Sequence, residues 1–251
     1  MNFHAKDDKT FPYSRTCIQP GGTMGIRRVA EIDDRVAVKT TLISVFDKTG
    51  LDTFIPGLVS LIPDIEIIST GGTYSHIKEI LGPGRGNNLV NISSYTGQPE
   101  MEGGLVKTLD YKIYLGILSE RYNASHGSDL LRANAKPIDM VVVNLYPFSK
   151  TVSKPDVEPE DARGYIDIGG PCMLRAASKN YLRVLAVSRP ADYRAVLDEL
   201  KEHQGTVSLE TRFTFARQGF RTTAEYDREV AAFLDTVEND RLRNGFTIHA
   251  G

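Results

Sequence analysis

The chain has 251 residues, of which 41% are hydrophobic and 25% charged, and its formal net charge at neutral pH is −2. This composition is typical of a globular protein and provides no broad basic field that would attract nucleic acid or an anionic membrane. Two distant cysteines and five scattered histidines favour a reducing, cytoplasmic compartment and argue against a zinc site. No apolar run reaches the roughly 20 residues of a membrane helix, and the N-terminus has no signal-peptide core.

The distribution of β-branched residues divides the chain. Residues 1–37 mix prolines, glycines and charges without periodicity, which predicts an N-terminal extension before a single domain over residues 38–251. Beyond it, short strand-like runs alternate with helical stretches, which predicts an α/β fold with a mostly parallel sheet between helices. The predicted strands are 41–45, 65–68, 140–143 and 184–187, and the predicted helices between them are 51–61, 74–81 and 171–179.

The last third of the chain is predicted to be rich in helix. Residues 191–202 and 208–222 have helical character, and Thr-Thr-Ala-Glu at 222–225 resembles a capping box that would open a further helix through residue 237. The glycine-rich segment 82–88 is expected to be a loop, with a plain surface loop favoured over a ligand clamp.

Two strand-to-helix turns are candidate phosphate sites. Residues 69–73 read Ser-Thr-Gly-Gly-Thr, where glycines allow close backbone approach and the helix N-terminus offers free N–H groups. Residues 46–50, Phe-Asp-Lys-Thr-Gly, end the first strand in a similar way, and strand ends converge on one crevice in a parallel sheet. Lys48 would then join the phosphate site, while helix capping by Asp47 or Thr49 is the structural alternative.

Three further segments carry groups suited to acid–base chemistry. Lys107 lies in an apolar stretch, where desolvation lowers the pKa of an amine, although an ordinary surface lysine is the commoner case. Asn144 and Tyr146 follow the strand 140–143, where an amide could read a base edge and the tyrosine could equally be a core aromatic. In Ile-Asp-Ile-Gly-Gly-Pro at 166–171, the proline suits the first position of a helix. The preceding N–H groups would form an oxyanion site, and Asp167 would either cap the helix or act in catalysis.

Together and in this order, these segments resemble the cyclohydrolase domain of the bifunctional AICAR transformylase/IMP cyclohydrolase family. The similar stretches cover about residues 40–235 and comprise 43–50, 69–73, 95–101, 106–109, 142–148, 166–170, 175–180 and the helix around 225–227. The resemblance implies a methylglyoxal-synthase-like fold. It also implies ring closure of formyl-AICAR (FAICAR) to IMP in purine biosynthesis, without a metal or an organic cofactor.

The resemblance also implies roles for individual residues. The positions that match the family's phosphate site are Lys48, Thr70, Gly71, Gly72, Thr73 and Thr108, with Asp47 and Thr49 beside them. The positions that match contacts to the base or the reacting groups are Asn144, Asp167, Ile168 and Gly169. The catalytic set is Lys107, Tyr146, Asp167 and Lys179. The chain departs from the family at Phe46, Leu105 and Asp110–Tyr111, where the family usually has serine, arginine and His-Pro.

The position of the last residue adds an expectation about partners. The chain ends before the family's transformylase domain would begin, which predicts a free-standing cyclohydrolase and a separate AICAR formyltransferase. The oligomeric state stays open, with a homodimer as one alternative. Two other functions remain: a catalytically silent purine-nucleotide-binding regulatory protein, motivated by Phe46 and Leu105, and a methylglyoxal synthase, which ranks lower because that class relies on carboxylate bases.

Overall fold

The computed structural model describes residues 28–84, 88–98, 108–153, 157–243 and 246–249. The chain divides into two units, Met1–Ala30 and Glu31–Gly251, and the features below belong to the second. Lys107 and Leu105 lie outside the described residues, as does the middle of the glycine-rich segment 82–88.

The described residues form seven strands and ten α-helices. The strands are β1 (Arg35–Ala37), β2 (Thr40–Val45), β3 (Glu66–Ser69), β4 (Leu89–Asn91), β5 (Met140–Asn144), β6 (Leu185–Val187) and β7 (Thr206–Ser208). The helices are α1 (Leu51–Leu61), α2 (Gly71–Leu81), α3 (Ile92–Thr96), α4 (Tyr111–Leu118), α5 (Ala124–Arg132), α6 (Phe148–Val152), α7 (Pro159–Gly164), α8 (Gly169–Lys179), α9 (Tyr193–Glu202) and α10 (Leu209–Leu234). Short 3-10 helices lie at Pro190–Asp192 and Arg241–Arg243.

A five-stranded parallel sheet forms the centre of the domain, in the order β4-β3-β2-β5-β6. Ile43 of β2 pairs with Ser69 of β3 and with Val142 of β5, so the carboxyl ends of these strands lie side by side. Apolar clusters cover both faces, one against α1, α2 and α9 and the other against α4 and α8. Burial on both faces explains the near-continuous β-branched runs. The predicted parallel α/β architecture is confirmed.

The start of the domain differs from the sequence prediction. β1 lies within the range assigned to the N-terminal extension, yet it pairs antiparallel with β7, and Val36 is buried. The fully buried Arg212 of α10 holds the segment before β1, since its guanidinium donates to the carbonyl oxygens of Asp33 (2.8 Å) and Tyr181 (3.0 Å). Residues 31–37 therefore belong to the domain, because long-range hydrogen bonds fix a segment that has no local pattern.

Two helix boundaries are also corrected. The helix predicted to open at residue 222 does not exist, because α10 runs unbroken across that position. Its threonines have other partners: Thr223 Oγ1 donates to the Phe220 carbonyl (3.1 Å), and Thr222 Oγ1 lies 3.3 Å from Ser188 Oγ. α8 begins at Gly169, so Pro171 is its third residue, a first-turn position where no intrahelical N–H is needed.

Candidate active site

A cleft of about 540 Å³ opens at the carboxyl ends of β2, β3 and β5, a volume within the ~300–1,000 Å³ range of ligand sites. The N-termini of α2 and α8 face it, as expected for ligand binding in an open parallel sheet. The cleft brings together eleven of the residues predicted from the sequence: Lys48, Thr70, Gly71, Gly72, Thr73, Thr108, Asn144, Tyr146, Asp167, Ile168 and Gly169.

The N-terminus of α2 is open toward the cleft. The side chain of its N-cap residue, Thr70, accepts no hydrogen bond from the helix, and its Oγ1 lies 2.8 Å from Ser44 Oγ. The first intrahelical bond runs from the N–H of Tyr74 to the Thr70 carbonyl (2.9 Å). The three N–H groups of residues 71–73 have no acceptor within the described part of the chain, which makes this helix end suited to an anion.

The Thr73 hydroxyl has a structural role that the sequence did not reveal. It donates to the carbonyl of Val45 (3.0 Å) and accepts from the Val45 N–H (3.1 Å), joining α2 to the end of β2. Because a hydroxyl has one proton, the Thr73 side chain cannot also donate to a phosphate. The Thr73 hydroxyl therefore serves the fold, and its backbone N–H is the group that remains available to a phosphate.

Asn144 fixes the loop that carries Lys48. Its Nδ2 donates to the carbonyl of Asp47 (2.7 Å) and its Oδ1 accepts from the Asp47 N–H (2.8 Å). The Asp47 carboxylate accepts from the Thr49 N–H (2.9 Å), and hydrogen bonds from the Thr49 side chain and backbone lower the pKa of Asp47. Thr49 does not line the cleft, and Asp47 lines only a neighbouring cavity. These two residues shape the Lys48 loop, and direct contact of either one with a ligand stays a prediction.

Asp167 combines helix capping with a position in the cleft. Its Oδ1 accepts from the Gly170 N–H (2.9 Å), and its own N–H donates to the Tyr226 hydroxyl of α10 (2.7 Å). Burial raises the pKa of the Asp167 carboxyl, while the N–H groups of Gly170 and Tyr146 act in the opposite direction. Asp167 thus binds a backbone N–H in the first turn of α8 and presents a carboxyl of raised pKa to the cleft, while its part in catalysis stays a prediction.

The first turn of α8 leaves two N–H groups for a ligand. Gly170 donates to Asp167, proline at 171 has no N–H, and Cys172 donates to the carbonyl of Ile168 (3.1 Å). Ile168 and Gly169 donate to no acceptor within the described residues. This pair is where the sequence placed an oxyanion site. Thr108 adjoins it, because a Cβ on Gly169 would lie 2.3 Å from Thr108 Oγ1.

The expected catalytic set is only partly assembled. Tyr146 and Asp167 line the cleft, and Lys107 lies outside the described residues. Lys179 is exposed at the end of α8, ten residues from Gly169. At ~1.5 Å per residue, this places it ~15 Å along the helix from the cleft. The prediction that Lys179 shares a pocket with Asp167 is wrong for a single copy of the chain.

Several side chains of the cleft were not predicted. A row of three aromatic rings runs along one border. The ring centroids of Phe46 and Tyr146 are 4.4 Å apart, and those of Tyr146 and Tyr165 are 5.2 Å apart. Tyr165 directly precedes the 166–171 segment, and this neighbourhood is the feature of the sequence that could have indicated its place in the cleft. The remaining unpredicted lining residues are Ser44, Val45, Gly164, Ile166, Gly170 and Met173.

Comparison with known proteins identifies relatives of this chain. The family model "MGS-like domain" matches residues 51–172, and the model "AICARFT/IMPCHase bienzyme" matches residues 177–250. The bifunctional purine biosynthesis protein PurH of Bacillus subtilis is 44% identical over 213 residues, which are 85% of this chain and 40% of PurH. This chain belongs to the AICARFT/IMPCHase family. PurH of Ruminiclostridium cellulolyticum is 46% identical over 201 residues, 80% of this chain and 38% of that protein.

The family members differ in extent. The chain spans about 40% of the length of the PurH proteins that it matches. The crystal structure of ForH superimposes with a TM-score of 0.65 at 31% identity, covering 79% of this chain and all of the ForH chain. The MGS-like, that is methylglyoxal-synthase-like, fold class is confirmed. Among the described residues, no helix is both long and apolar enough to span a bilayer.

Proposed function

We propose that this member of the family is an IMP cyclohydrolase, which closes the ring of FAICAR to give IMP and water in de novo purine biosynthesis. The observation that carries the proposal is the pair of helix N-termini that face one cleft. Lys48 lines the same cleft as the end of α2, which has no side-chain cap, and the N–H groups of Ile168 and Gly169 at the start of α8 have no acceptor within the described residues. The substrate needs both features, since it carries a phosphate and develops an oxyanion during closure.

The phosphate end of the substrate is assigned to α2. Residues 71–73, whose N–H groups have no acceptor within the described residues, line the cleft together with Lys48, Thr70 and Thr108, the last of which lies beside Gly169. Helix N-termini favour anions through the helix dipole and their unpaired donors. These groups compensate the charge of the phosphate locally. Local compensation is needed because the protein, with a net charge of −2, has no overall attraction for an anion.

Ring closure then takes place at α8. The carboxamide nitrogen attacks the formamido carbon, a C–N bond forms, and negative charge grows on the formyl oxygen, which the N–H groups of Ile168 and Gly169 stabilise. The carboxamide nitrogen gives up one of its two protons and the formamido nitrogen gives up its only proton. The former carbonyl oxygen leaves with these two protons as water, so the atoms of FAICAR appear as IMP plus one H₂O. Because the two reacting groups belong to one molecule, holding them in contact supplies much of the acceleration.

Proton transfers are assigned to residues at this end of the cleft. The raised pKa of the Asp167 carboxyl suits it to exchange a proton with the reacting nitrogen or oxygen. Tyr146 contributes a hydroxyl at the same border. Lys107 is included on the strength of its sequence match. Lys179 is not assigned a proton transfer within one copy of the chain, because it lies at the opposite end of α8 from Gly169.

A regulatory nucleotide-binding protein is the second candidate. It is favoured by the exposed position of Lys179 and by the Phe46 ring, which occupies part of the cleft border. In that case the protein binds IMP and does not turn over FAICAR.

One assay separates the two candidates. Purified protein is incubated with FAICAR in the presence of EDTA and without folate, and IMP formation is followed by absorbance against a protein-free blank. We expect turnover by the wild type and by Asp161→Asn, a control carboxylate exposed on α7, and a large loss in Asp167→Asn. Tight IMP binding without turnover would select the regulatory function. With AICAR and a folate formyl donor we expect no product, since a separate formyltransferase is proposed for that step.

A further inference from the structure

A hydrogen bond from α10 holds the segment that carries Asp167. This segment, residues 165–168, joins α7 to α8, and its first two N–H groups donate back to carbonyls of α7. The Asp167 N–H instead donates to the hydroxyl of Tyr226 on α10 (2.7 Å). The next two N–H groups, those of Ile168 and Gly169, have no acceptor within the described residues. The Tyr226 hydroxyl is thus the last backbone anchor before the two donors that face the cleft.

The position of the Tyr226 hydroxyl is fixed by the packing of its ring. Tyr226 is only 5% exposed and belongs to an apolar cluster with Phe148 of α6 and Ala162 of α7. Its ring meets the Phe148 ring at 70°, with centroids 6.4 Å apart, an edge arrangement that aromatic pairs favour. Ile166, the residue before Asp167, packs against the same cluster. Because the ring is held on several sides, its hydroxyl is a fixed point to which the Asp167 backbone is attached.

The Asp167 carboxyl is oriented by a different bond. Its Oδ1 accepts from the Gly170 N–H (2.9 Å), and the space there is tight, since a Cβ on Gly170 would lie 2.4 Å from Asp167 Oδ2. A small shift of the backbone at residue 167 would therefore disturb this bond. Tyr226 is not among the described residues that line the cleft, so its influence on a ligand there would pass through Asp167.

We propose that Tyr226 is a positioning residue of the active site, whose hydroxyl fixes the backbone at Asp167 and thereby aims the Asp167 carboxyl and the two following N–H groups into the cleft. Its part in turnover rests on the proposed function, which assigns proton transfer and oxyanion stabilisation to these groups. A displacement of ~1 Å can lower a rate by ~10²-fold. The Tyr226 bond reaches the segment before α8 and not the phosphate end at α2, so substrate binding should depend on it much less.

Tyr226→Phe removes the hydroxyl and keeps the ring. Tyr95→Phe is the matched control, because the Tyr95 hydroxyl also accepts from a backbone N–H, that of Lys136 (2.8 Å), and Tyr95 is not among the described lining residues of the cleft. We expect Tyr226→Phe to lower kcat for FAICAR by ~10- to 100-fold with KM nearly unchanged. Tyr95→Phe should keep both constants at wild-type values. A hydroxyl that only stabilised the fold would not produce this difference between kcat and KM.

Hydrogen exchange provides a measurement that does not need turnover. The Gly170 N–H is bonded to the Asp167 carboxyl and not to Tyr226, so its exchange rate reports whether the carboxyl is held. The rate is measured by NMR on the full chain without ligand, after circular dichroism has shown that both variants are folded. We expect it to rise ~10-fold in Tyr226→Phe, the scale of one net hydrogen bond, and to stay at the wild-type value in Tyr95→Phe.

The outcomes separate this proposal from the proposed function. If the wild type converts FAICAR and Tyr226→Phe retains either the wild-type kcat or the wild-type Gly170 exchange rate, Tyr226 is not a positioning residue and the proposed function stands. If the wild type does not convert FAICAR, the proposed function fails and the part of Tyr226 in turnover fails with it. The Gly170 exchange rate then decides by itself whether Tyr226 fixes Asp167.

Discussion

Replacing Lys48 by alanine tests the phosphate end of the cleft. Lys48 lies in the cleft on a loop that Asn144 holds through two hydrogen bonds to Asp47, so removing its side chain leaves the loop in place. Losing a hydrogen bond to a charged group costs ~1.5–3 kcal/mol. Since 1.4 kcal/mol corresponds to a factor of ten, IMP affinity is expected to fall by about 10- to 150-fold. Binding persists, because the free N–H groups of residues 71–73 remain.

The assay measures IMP and inosine in parallel by isothermal titration calorimetry. Inosine has no phosphate, so its affinity should be the same in the wild type and in Lys48→Ala. Lys150→Ala is the matched control, because Lys150 lines only the neighbouring cavity and should affect neither ligand. The difference between wild type and Lys48→Ala should also shrink as salt is added, since ionic strength screens a partly exposed charge pair.

The result that refutes this assignment is equally specific. If Lys48→Ala leaves IMP affinity unchanged, or weakens IMP and inosine by the same factor, the phosphate does not bind at Lys48. If Lys150→Ala produces the larger loss, the nucleotide occupies the neighbouring cavity instead.

Three further substitutions test the remaining parts of the site. Burial raises the pKa of Asp167, so its contribution to stability is complete at acid pH and is lost as pH rises through the folded-state pKa. Asp167→Asn should therefore melt above wild type at pH 7 but not near pH 3, while kcat for FAICAR falls ~10²–10⁴-fold. Gly169→Ala forces Thr108 Oγ1 away from the new Cβ and should lower kcat by ~10²-fold. Gly127→Ala is the control and should leave kcat unchanged, because a Cβ at Gly127 meets open space. Thr73→Val removes both hydrogen bonds to β2 and should lower the free energy of unfolding by ~1–3 kcal/mol in urea titrations, with IMP binding retained; unchanged stability would contradict the structural role.

Elements with strong local patterns could be predicted from the sequence. The bounds of α1 agree with the prediction, and β5 differs by one residue, because each combines an apolar run with clear turn residues at its ends. β1 could not be predicted, since three residues with no pattern of their own become a strand only by pairing with β7. The break expected at residue 222 had a reasonable local motif, but packing of α10 against α8 and β6 keeps the helix continuous.

The site shows the same division between local and long-range information. Lys48, the glycines at 71–72 and Asp167 were predicted because strand ends and helix starts converge in a parallel sheet. The partners of individual atoms were not predictable: the Asn144 amide binds the Asp47 backbone, and the Thr73 hydroxyl binds the end of β2. Similarity to a family did not reveal these partners either. It indicates which residues belong to a site, but not which of their polar atoms are already engaged in hydrogen bonds within the protein.

The pairing of β1 with β7 has a consequence for synthesis of the protein. Arg212 donates hydrogen bonds to the carbonyls of Asp34 and Asp33, which precede it in the chain by 178 and 179 positions. As the polypeptide leaves the ribosome, β1 has neither its strand partner nor this arginine until α10 has emerged. The parallel sheet, whose strands all lie before residue 188, can pair earlier. The N-terminal segment therefore cannot close before β7 and α10 have been synthesised, and a chain truncated before residue 206 should keep residues 31–37 open to protease.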